Sequence, residues 1–296
     1  MNGIICINKP QGFTSFDVIA KLRGILKIKR IGHAGTLDPM ATGVLPVFVG
    51  RATKACDIMP DNHKAYTASF RLGTETDTQD SSGTVLKTFK ADVSLEDINN
   101  KLKEFSGNIA QIPPMYSAVS VNGKRLYELA RAGIEIERKP RNIFVKSLLL
   151  EEYNQLTCEG VLKIECSKGT YVRTIIYDIG RSLGCGAVMT ALERTSSNGF
   201  DISECVTLGQ VQEYADEGNA DKLIVPIERV FIDFPEIHLD PKSAAMYRNG
   251  VKLTPDEYSA EVYNEGQKYR IFVPDNTFVG LAYIEDNYLR VYKNFT

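Results

Sequence analysis

The side chains most able to do chemistry lie in a loop at residues 32–43, whose sequence is GHAGTLDPMATG. His33 and Asp38 are the titratable residues of this loop. Pro39 disfavours helical backbone at Asp38, and the glycines permit positive φ angles and close packing. Such a carboxylate can act as a nucleophile when it is ionised and poorly hydrated. An Asx-turn at Asp38, with His33 capping a turn, explains the same residues without any chemistry, so the loop by itself leaves both interpretations open.

A second candidate region is the segment 167–174, SKGTYVRT, where a predicted strand turns through Gly169 into a helix. Tyr171 and Arg173 would then lie near the N-terminus of that helix. An arginine placed there can pair with a carboxylate or a phosphate through two hydrogen bonds. Tyr66, at the start of another predicted strand, could stack on a nucleobase. Each of these residues alone is more typical of a surface or core position, so none of them identifies a function.

The elements that must position these residues alternate between strands and helices without a regular βαβ period. Helix starts are indicated by Ser15 as an N-cap and by capping-box patterns at Ser94 and Thr207. A further helix is predicted after Arg173, ending at Gly184. This interleaving predicts an α/β or α+β domain with a mixed sheet. The predicted strands are residues 4–7, 44–49, 66–72, 143–150 and 162–166.

The last sixty or so residues follow a different pattern. Short apolar stretches alternate there with turns rich in Asn, Asp, Gly and Pro, which is typical of a small β-barrel or sandwich. The boundary is predicted between Ile227 and Pro235, giving a catalytic domain at residues 1–232 and a small all-β module at 233–296. The apolar stretches are residues 260–263, 269–273, 278–284 and 289–292.

Net charge is −2, but the charge is unevenly distributed along the chain. Residues 233–296 hold seven Lys/Arg against ten Asp/Glu, which leaves 28 basic and 27 acidic residues in 1–232. Within that part, 17–30 has five basic residues against one acidic, and 122–146 has seven against three. Local basic segments decide whether phosphates can be held. The charge pattern therefore permits a nucleic-acid partner without identifying one.

Several classes of protein are disfavoured by composition. Six scattered cysteines without a C-x-x-C pair, together with three histidines, give no zinc-site spacing, so we expect free thiols and no metal. No run of residues approaches the ~18 apolar positions of a membrane-spanning helix. The N-terminal sequence MNGIIC lacks the regions of a signal peptide. We expect a cytoplasmic protein, with a monomer as the default state.

Taken in chain order, nine segments resemble the bacterial tRNA pseudouridine-55 synthase family. The resemblance covers about the first 210 residues and includes both the loop around Asp38 and the segment of Tyr171 and Arg173. Residues 233–296 resemble, more loosely, the small PUA-like RNA-binding module often appended in this family. The matching segments are residues 8–12, 32–50, 52–54, 64–68, 72–78, 111–118, 123–127, 167–174 and 183–187.

The resemblance implies a largely antiparallel mixed sheet and the isomerisation of uridine 55 in the T-arm loop of tRNA, without cofactor or metal. Asp38 would be the nucleophile, Arg173 its partner and Tyr66 the platform on which the flipped base stacks. Tyr171 would line the same pocket, and His33 would contact the RNA backbone around the flipped nucleotide. Further RNA contacts are implied for Lys9 and Lys54, and for Lys124, Arg125 and Arg141 in a segment, 120–142, that would clasp the T loop.

Three other functions were weighed against this one. The catalytic subunit of a guide-RNA particle that modifies rRNA shares the Asp motif but generally lacks the clasp segment 120–142. A non-catalytic RNA-binding or tRNA-folding protein would not need Asp38. A glycoside hydrolase also cleaves at an anomeric carbon, but it requires two carboxylates, and no second acid stands near Asp38 in the sequence.

Overall fold

The computed structural model describes residues 1–60, 63–258 and 264–296, so the predicted apolar stretch 260–263 lies outside the described residues. The six α-helices of this part are α1 (Ser15–Leu26), α2 (Leu95–Leu102), α3 (Leu126–Arg131), α4 (Val172–Ser182), α5 (Leu208–Asp216) and α6 (Pro241–Arg248). The strands up to the middle of the chain are β1 (Gly3–Lys9), β2 (Ile31–His33), β3 (Thr42–Val49), β4 (His63–Leu72), β5 (Thr74–Thr76), β6 (Val85–Thr88), β7 (Gly107–Gln111), β8 (Ser120–Val121) and β9 (Lys124–Arg125). The remaining strands are β10 (Arg141–Asn154), β11 (Glu159–Ser167), β12 (Ala187–Ser197), β13 (Phe200–Asp201), β14 (Glu236–His238), β15 (Lys268–Phe272), β16 (Phe278–Glu285) and β17 (Tyr288–Asn294).

A nine-stranded sheet forms the centre of the molecule, in the order β1-β3-β12-β4-β11-β10-β7, with β2 paired to β3 and β13 to β12. Among the described strands of this sheet, β12 and β3 form the one parallel pair. That pair consists of two residue partners, Glu193 with Thr42 and Arg194 with Gly43. The prediction of a mixed and largely antiparallel sheet is therefore confirmed. Strand β12, which lies between β3 and β4, was not predicted.

Two groups of helices cover this sheet. Helices α2 and α4 pack on the strands β4, β11 and β12 through apolar residues such as Ile98, Ile175 and Ile176. Helices α1 and α5 pack beside β1 and β3, where Val18, Leu22 and Val211 meet the strand residues. The capping boxes predicted at Ser94 and Thr207 are confirmed, with Asp97 and Gln210 as the partners that close them.

Helix α1 begins differently from the prediction. Thr14, not Ser15, is its N-cap, and the Thr14 side chain accepts a hydrogen bond from the Asp17 amide. Ser15 is the first helical residue and is buried. Its hydroxyl instead accepts a hydrogen bond of 2.9 Å from the backbone amide of Leu37. The residue expected to cap the helix thus fastens the loop that carries Asp38.

A separate four-stranded sheet, in the order β14-β15-β16-β17, follows residue 235. It is rich in strands, as predicted, but it also contains helix α6, which Asp240 caps and Pro241 begins. This region has its own apolar core. A second cluster joins it to the large sheet, where Phe231, Leu281 and Phe295 pack with Ile4 and Phe48. No helix in the described parts of the chain is long and apolar enough to cross a membrane.

Candidate active site

Asp38 lies in the connection between β2 and β3. Its backbone carbonyl accepts a hydrogen bond from Ala41, and the carbonyl of Pro39 accepts one of 2.8 Å from Gly12. Strands β2 and β3 occupy both ends of the predicted loop, so the irregular part is residues 34–41. With Leu37 buried and bound to Ser15, these contacts hold the backbone on both sides of the carboxylate.

Arg173, the second residue of α4, places its guanidinium against this carboxylate. Its Nη2 lies 3.4 Å from Asp38 Oδ2, and its Nη1 lies 3.5 Å from Asp80 Oδ2. Nη2 also donates a hydrogen bond of 2.5 Å to the carbonyl of Tyr116. Arg173 and Asp80 are both buried. One buried guanidinium thus bridges two carboxylates, and the sequence had suggested only one of them.

Asp80 is held by its own turn. Its Oδ1 accepts hydrogen bonds from the Thr78 hydroxyl at 2.8 Å and from the Ser82 amide at 3.0 Å. Its Oδ2 is left facing Arg173. Asp80 lies 93 residues before Arg173 in the chain. It stands two residues after the matching segment 72–78, and this position was the only signal that the sequence offered.

The electrostatic environment of Asp38 is divided between opposing effects. Burial raises the pKa of the Asp38 carboxyl, the Arg173 guanidinium lowers it, Asp80 raises it, and Lys9 lowers it; the pKa is raised overall. The side chain still keeps 35% of its surface accessible from the cleft. The carboxylate is therefore reachable by a ligand but poorly hydrated, which is the condition for a reactive carboxylate nucleophile.

Tyr66 faces the same cleft from β4. It is buried, and burial raises the pKa of its phenol while the nearby Arg194 lowers it. Tyr66 is paired with Arg194 in β12 and with Ile164 in β11, at the centre of the large sheet. Its ring therefore belongs to the rigid part of the molecule.

Arg194 fastens the Asp38 loop to the sheet. It is completely buried, with 0% of its surface exposed. Its Nε donates a hydrogen bond of 2.7 Å to the carbonyl of Val44, and its Nη2 donates one of 3.0 Å to that of Gly35. Its Nη1 reaches the carbonyl of Thr36 at 3.5 Å. Gly43 makes this approach possible, since a Cβ atom there would lie 2.2 Å from the Arg194 carbonyl oxygen.

These groups surround one pocket of about 250 Å³. Asp38, Tyr66, Tyr171, Arg173 and Leu192 all line it. Tyr171 is half-buried, and the buried side chain of Gln111 fixes its backbone with hydrogen bonds of 2.8 and 3.0 Å. The pocket thus combines one carboxylate, one guanidinium, the Lys64 side chain and two phenol rings, and its remaining walls are both polar and apolar.

The other predicted site residues lie outside this pocket. His33, in β2, is half-buried, and burial followed by Arg194 lowers its pKa, so the ring is neutral near pH 7. Lys54 donates a hydrogen bond of 2.6 Å from Nζ to the carbonyl of Asn294, tying the first half of the chain to the last strand. Lys124, Arg125 and Arg141 are exposed, and Arg125 donates to the carbonyl of Ala118.

Lys9, which is expected to bind RNA, is buried in the structure. Its side chain is 0% exposed, and its Nζ donates to the backbone carbonyls of Pro10, Phe13 and Pro39 at 2.9, 2.5 and 3.4 Å. Burial lowers its pKa to about 8. These hydrogen bonds of the Lys9 ammonium group join the turn after β1 to the loop that carries Asp38, so Lys9 supports that loop.

Two family profiles match the chain in succession. The profile described as "TruB family pseudouridylate synthase (N terminal domain)" matches residues 23–172, and "tRNA pseudouridylate synthase B C-terminal domain" matches 173–231. The chain is 42% identical to the tRNA pseudouridine synthase B of Clostridium kluyveri over 100% of both chains. It is 41% identical to that of Bacillus pumilus over 93% of this chain and 90% of the other.

Solved structures also match nearly the whole chain. A chain of the Cbf5–Nop10–Gar1 complex superposes with a TM-score of 0.76 at 26% identity, over 99% of this chain and 85% of the other. A chain of an archaeal box H/ACA Nop10–Cbf5 complex gives 0.73 at 26% identity, over 99% and 86%. The similarity therefore extends over the whole fold, including the four-stranded sheet at the C-terminus.

Proposed function

The chain belongs to the TruB family of pseudouridylate synthases, and we propose that, as a tRNA pseudouridine synthase, it isomerises uridine 55 in the T loop of tRNA. The relatives over its full length carry the name tRNA pseudouridine synthase B. The observation that carries the proposal is the Asp38 carboxylate, paired with buried Arg173 at 3.4 Å and facing Tyr66 across the pocket.

The target base must first leave the RNA stack, at a cost on the order of a few kcal/mol. Stacking on an aromatic ring recovers part of this cost, and the rings of Tyr66 and Tyr171 line the pocket. His33 would contact the RNA around the flipped nucleotide. Tyr66 and Leu192 belong to the large sheet, so this side of the pocket is held in place before the base enters.

The reaction breaks the N1–C1′ bond, turns the retained uracil, forms the C5–C1′ bond and releases the proton from C5 while N1 gains one. Asp38 can serve this sequence by attack on C1′, by attack on C6 of the base, or by assisting loss of the 2′ proton. Each route requires the ionised carboxylate. Arg173 favours that form against the effect of burial, and it also holds the carboxylate in place.

Segment 120–142 supports a stand-alone enzyme over the guide-RNA alternative. It contains the β8–β9 hairpin and α3, and its Lys124, Arg125 and Arg141 side chains are exposed. We propose that these side chains bind phosphates of the T arm. The net charge of −3 in residues 233–296, with seven basic against ten acidic residues, argues against a large electrostatic contribution from that module.

We further propose a division into a catalytic domain at 1–232 and a PUA-like module at 233–296. The partner is the T-arm stem-loop, and the enzyme acts as a monomer in the cytoplasm, where its tRNA substrate resides. Neither a metal nor a cofactor enters the mechanism above.

The test is pseudouridine mapping on total tRNA after incubation with the purified protein, with Asp38→Asn as the inactive comparison. We expect a new pseudouridine at position 55 with the wild-type protein alone. A bare T-arm hairpin should also be modified. Failure on the hairpin, together with activity in the presence of a guide RNA, would favour the rRNA alternative. Near-normal turnover by Asp38→Asn would exclude the proposed role of the carboxylate.

A further inference from the structure

Two cysteines lie in contact with each other outside the pocket, where β1 meets the segment that leads into α5. The Sγ atom of Cys205 lies 3.3 Å from that of Cys6, although the two residues are 199 positions apart in the chain. Both cysteines are free thiols. The proposed reaction uses neither of them. The fold therefore holds together two oxidisable sulfur atoms whose contact the catalytic site does not explain.

The backbone aligns the two cysteines side by side. Ile7 of β1 forms a parallel bridge with Val206. In this bridge the Val206 amide donates a hydrogen bond of 2.9 Å to the carbonyl of Cys6. Cys205 precedes the bridge with extended backbone, at φ −84° and ψ 142°. Neighbouring extended strands lie about 4.8 Å apart, and a disulfide spans Cα atoms about 4.4–6.8 Å apart, so this alignment suits a disulfide.

The two thiols differ in their access to solvent. Cys6 is 3% exposed and belongs to an apolar cluster with Ile4 and Phe48, whereas Cys205 is partly exposed. The hydrogen bond from Cys205 and burial both raise the pKa of the Cys6 thiol. Cys6 therefore remains a protonated thiol, and Cys205 carries the sulfur atom that a dissolved oxidant reaches first. An accessible cysteine next to a second thiol is the arrangement in which an oxidised sulfur is captured by its neighbour.

We propose that a hydroperoxide converts Cys6 and Cys205 into a reversible disulfide, and that this cross-link stabilises the fold. The Cys205 thiolate attacks the peroxide, so that an S–O bond forms and the O–O bond breaks. An alcohol leaves with the proton that the Cys205 thiol had released. The Cys6 sulfur then attacks the Cys205 sulfur, an S–S bond forms, the S–O bond breaks, and the departing hydroxide takes the Cys6 proton as water. Two thiols and one hydroperoxide thus give one disulfide, one alcohol and one water, and a small thiol reverses the oxidation by exchange.

The cross-link fastens β1 to a distant part of the chain. It closes a loop between residues 6 and 205, which reduces the conformational entropy that the chain gains on unfolding. Strand β1 ends at Lys9, whose ammonium group binds the carbonyl of Pro39 in the loop of Asp38. Oxidation therefore secures the strand that supports this loop. Disulfides in a reducing compartment are usually transient or redox-sensing, which agrees with a pair that opens and closes.

The experiment uses no RNA, so its outcome is independent of the proposed function. The purified protein is treated with hydrogen peroxide, alkylated, digested with trypsin and analysed by mass spectrometry, and its Tm is measured before and after oxidation. Because trypsin does not cleave before Pro10, Cys6 and Cys205 lie in the peptides 1–21 and 195–222. The variants are Cys205→Ser, Cys6→Ala and, as a matched control with another partly exposed thiol, Cys56→Ser. Thermal unfolding of each reduced variant establishes that it folds.

We expect a disulfide between the two peptides in the wild-type protein and in Cys56→Ser, with a rise in Tm of about 5 °C or more that dithiothreitol reverses. Cys205→Ser and Cys6→Ala should give neither the linked peptide nor the rise in Tm. The proposal is overturned if peroxide converts Cys205 to sulfinic acid without the linked peptide. It is equally overturned if the linked peptide forms without a rise in Tm, or if Cys205→Ser shows the same rise.

Discussion

The cleft and the neighbouring segment 120–142 use charged side chains in opposite ways. In the cleft, Arg173, Arg194 and Asp80 are buried, and each contacts several fixed partners. In the segment, every residue of which is described, Leu126 alone is buried, and the basic side chains other than Arg138 are exposed. Arg138 is partly buried and donates a hydrogen bond to the carbonyl of Pro113. Buried charges that are satisfied by the fold set a geometry in advance. Exposed charges on long side chains attract phosphates but define no geometry of their own. We therefore expect the cleft to carry out the reaction and segment 120–142 to attract the RNA.

The largest expected effect is that of Asp38→Asn, which removes the nucleophile and leaves the shape of the cleft unchanged. Turnover should fall by at least about four orders of magnitude, as for other essential nucleophiles, while tRNA affinity stays within about tenfold. Single-turnover pseudouridine formation and a binding titration measure the two quantities. Loss of binding in parallel with turnover would show that the cleft also supplies the attraction.

Arg194→Met should cause the next largest change, because three backbone carbonyls lose their partner at a buried position. Unpaired buried acceptors cost about 1–3 kcal/mol each, so the free energy of unfolding should fall by about 3 kcal/mol or more. Urea unfolding measures this change. The matched variant in the segment, Arg131→Met, should cost less than about 1 kcal/mol. Equal losses would remove the distinction between the two regions.

Reversing the charges of Arg138, Lys139 and Arg141 to glutamate tests the segment itself. Binding should weaken by about tenfold to a hundredfold at low salt, and the salt dependence of the affinity should become flatter. The rate at saturating tRNA should stay close to that of the wild-type enzyme. An affinity that is unchanged at every salt concentration would exclude residues 138–141 from the RNA interface.

A smaller effect follows from the raised pKa of Asp38. A carboxyl whose pKa is higher in the folded than in the unfolded state binds more protons when folded, so stability falls as pH rises through the interval between the two values. Asp38→Asn should therefore be more stable than the wild-type protein near neutral pH, and the difference should vanish at acidic pH below the unfolded value. Turnover should decrease as pH falls through the raised pKa, because the nucleophile becomes protonated. Thermal unfolding and pH–rate profiles measure both; identical stability profiles would contradict the assignment.

Lys54→Met should have the smallest effect. It removes one partly buried hydrogen bond to the carbonyl of Asn294, worth about 1 kcal/mol or less. Stability should fall slightly, with turnover and tRNA affinity unchanged. A selective loss of tRNA affinity would return Lys54 to the RNA interface, where the sequence had placed it.

The local features of the fold could be predicted because their causes are local. The capping boxes at Ser94 and Thr207, the alternation in β4 and the turn-rich C-terminal sheet all depend on neighbouring residues. The fold class and the family could be predicted for the same reason, because both were inferred from short segments that match the family in the same order along the chain. Thr14 was missed as the cap of α1 because Ser15 is an equally good capping residue by type, and only the contact with Leu37 decides between them.

The contacts that hold the site residues in place could not be predicted, because they join distant parts of the chain. Asp80 reaches Arg173 across 93 residues, Gln111 reaches Tyr171 across 60, and Arg194 reaches Val44 across 150. In sequence, each of the three is an ordinary polar residue without a partner. The surroundings of Lys9 could not be predicted for a related reason: its charge suggested a phosphate, whereas in the structure its buried ammonium group binds carbonyl groups. The sequence indicated Asp38, Tyr66, Tyr171 and Arg173 as site residues. In the structure these four residues line one pocket.

The parallel pairing of β12 with β3 bears on how the enzyme is made. Val44 and Arg194 are 150 residues apart, so a chain emerging from the ribosome exposes Asp38 and Tyr66 long before the strand that fastens the Asp38 loop has been synthesised. Contacts of such long sequence separation form late in folding. Until β12 (Ala187–Ser197) inserts between β3 and β4, the nascent protein carries all four pocket residues without the fixed cleft, so we expect it to modify RNA only after this strand has been synthesised.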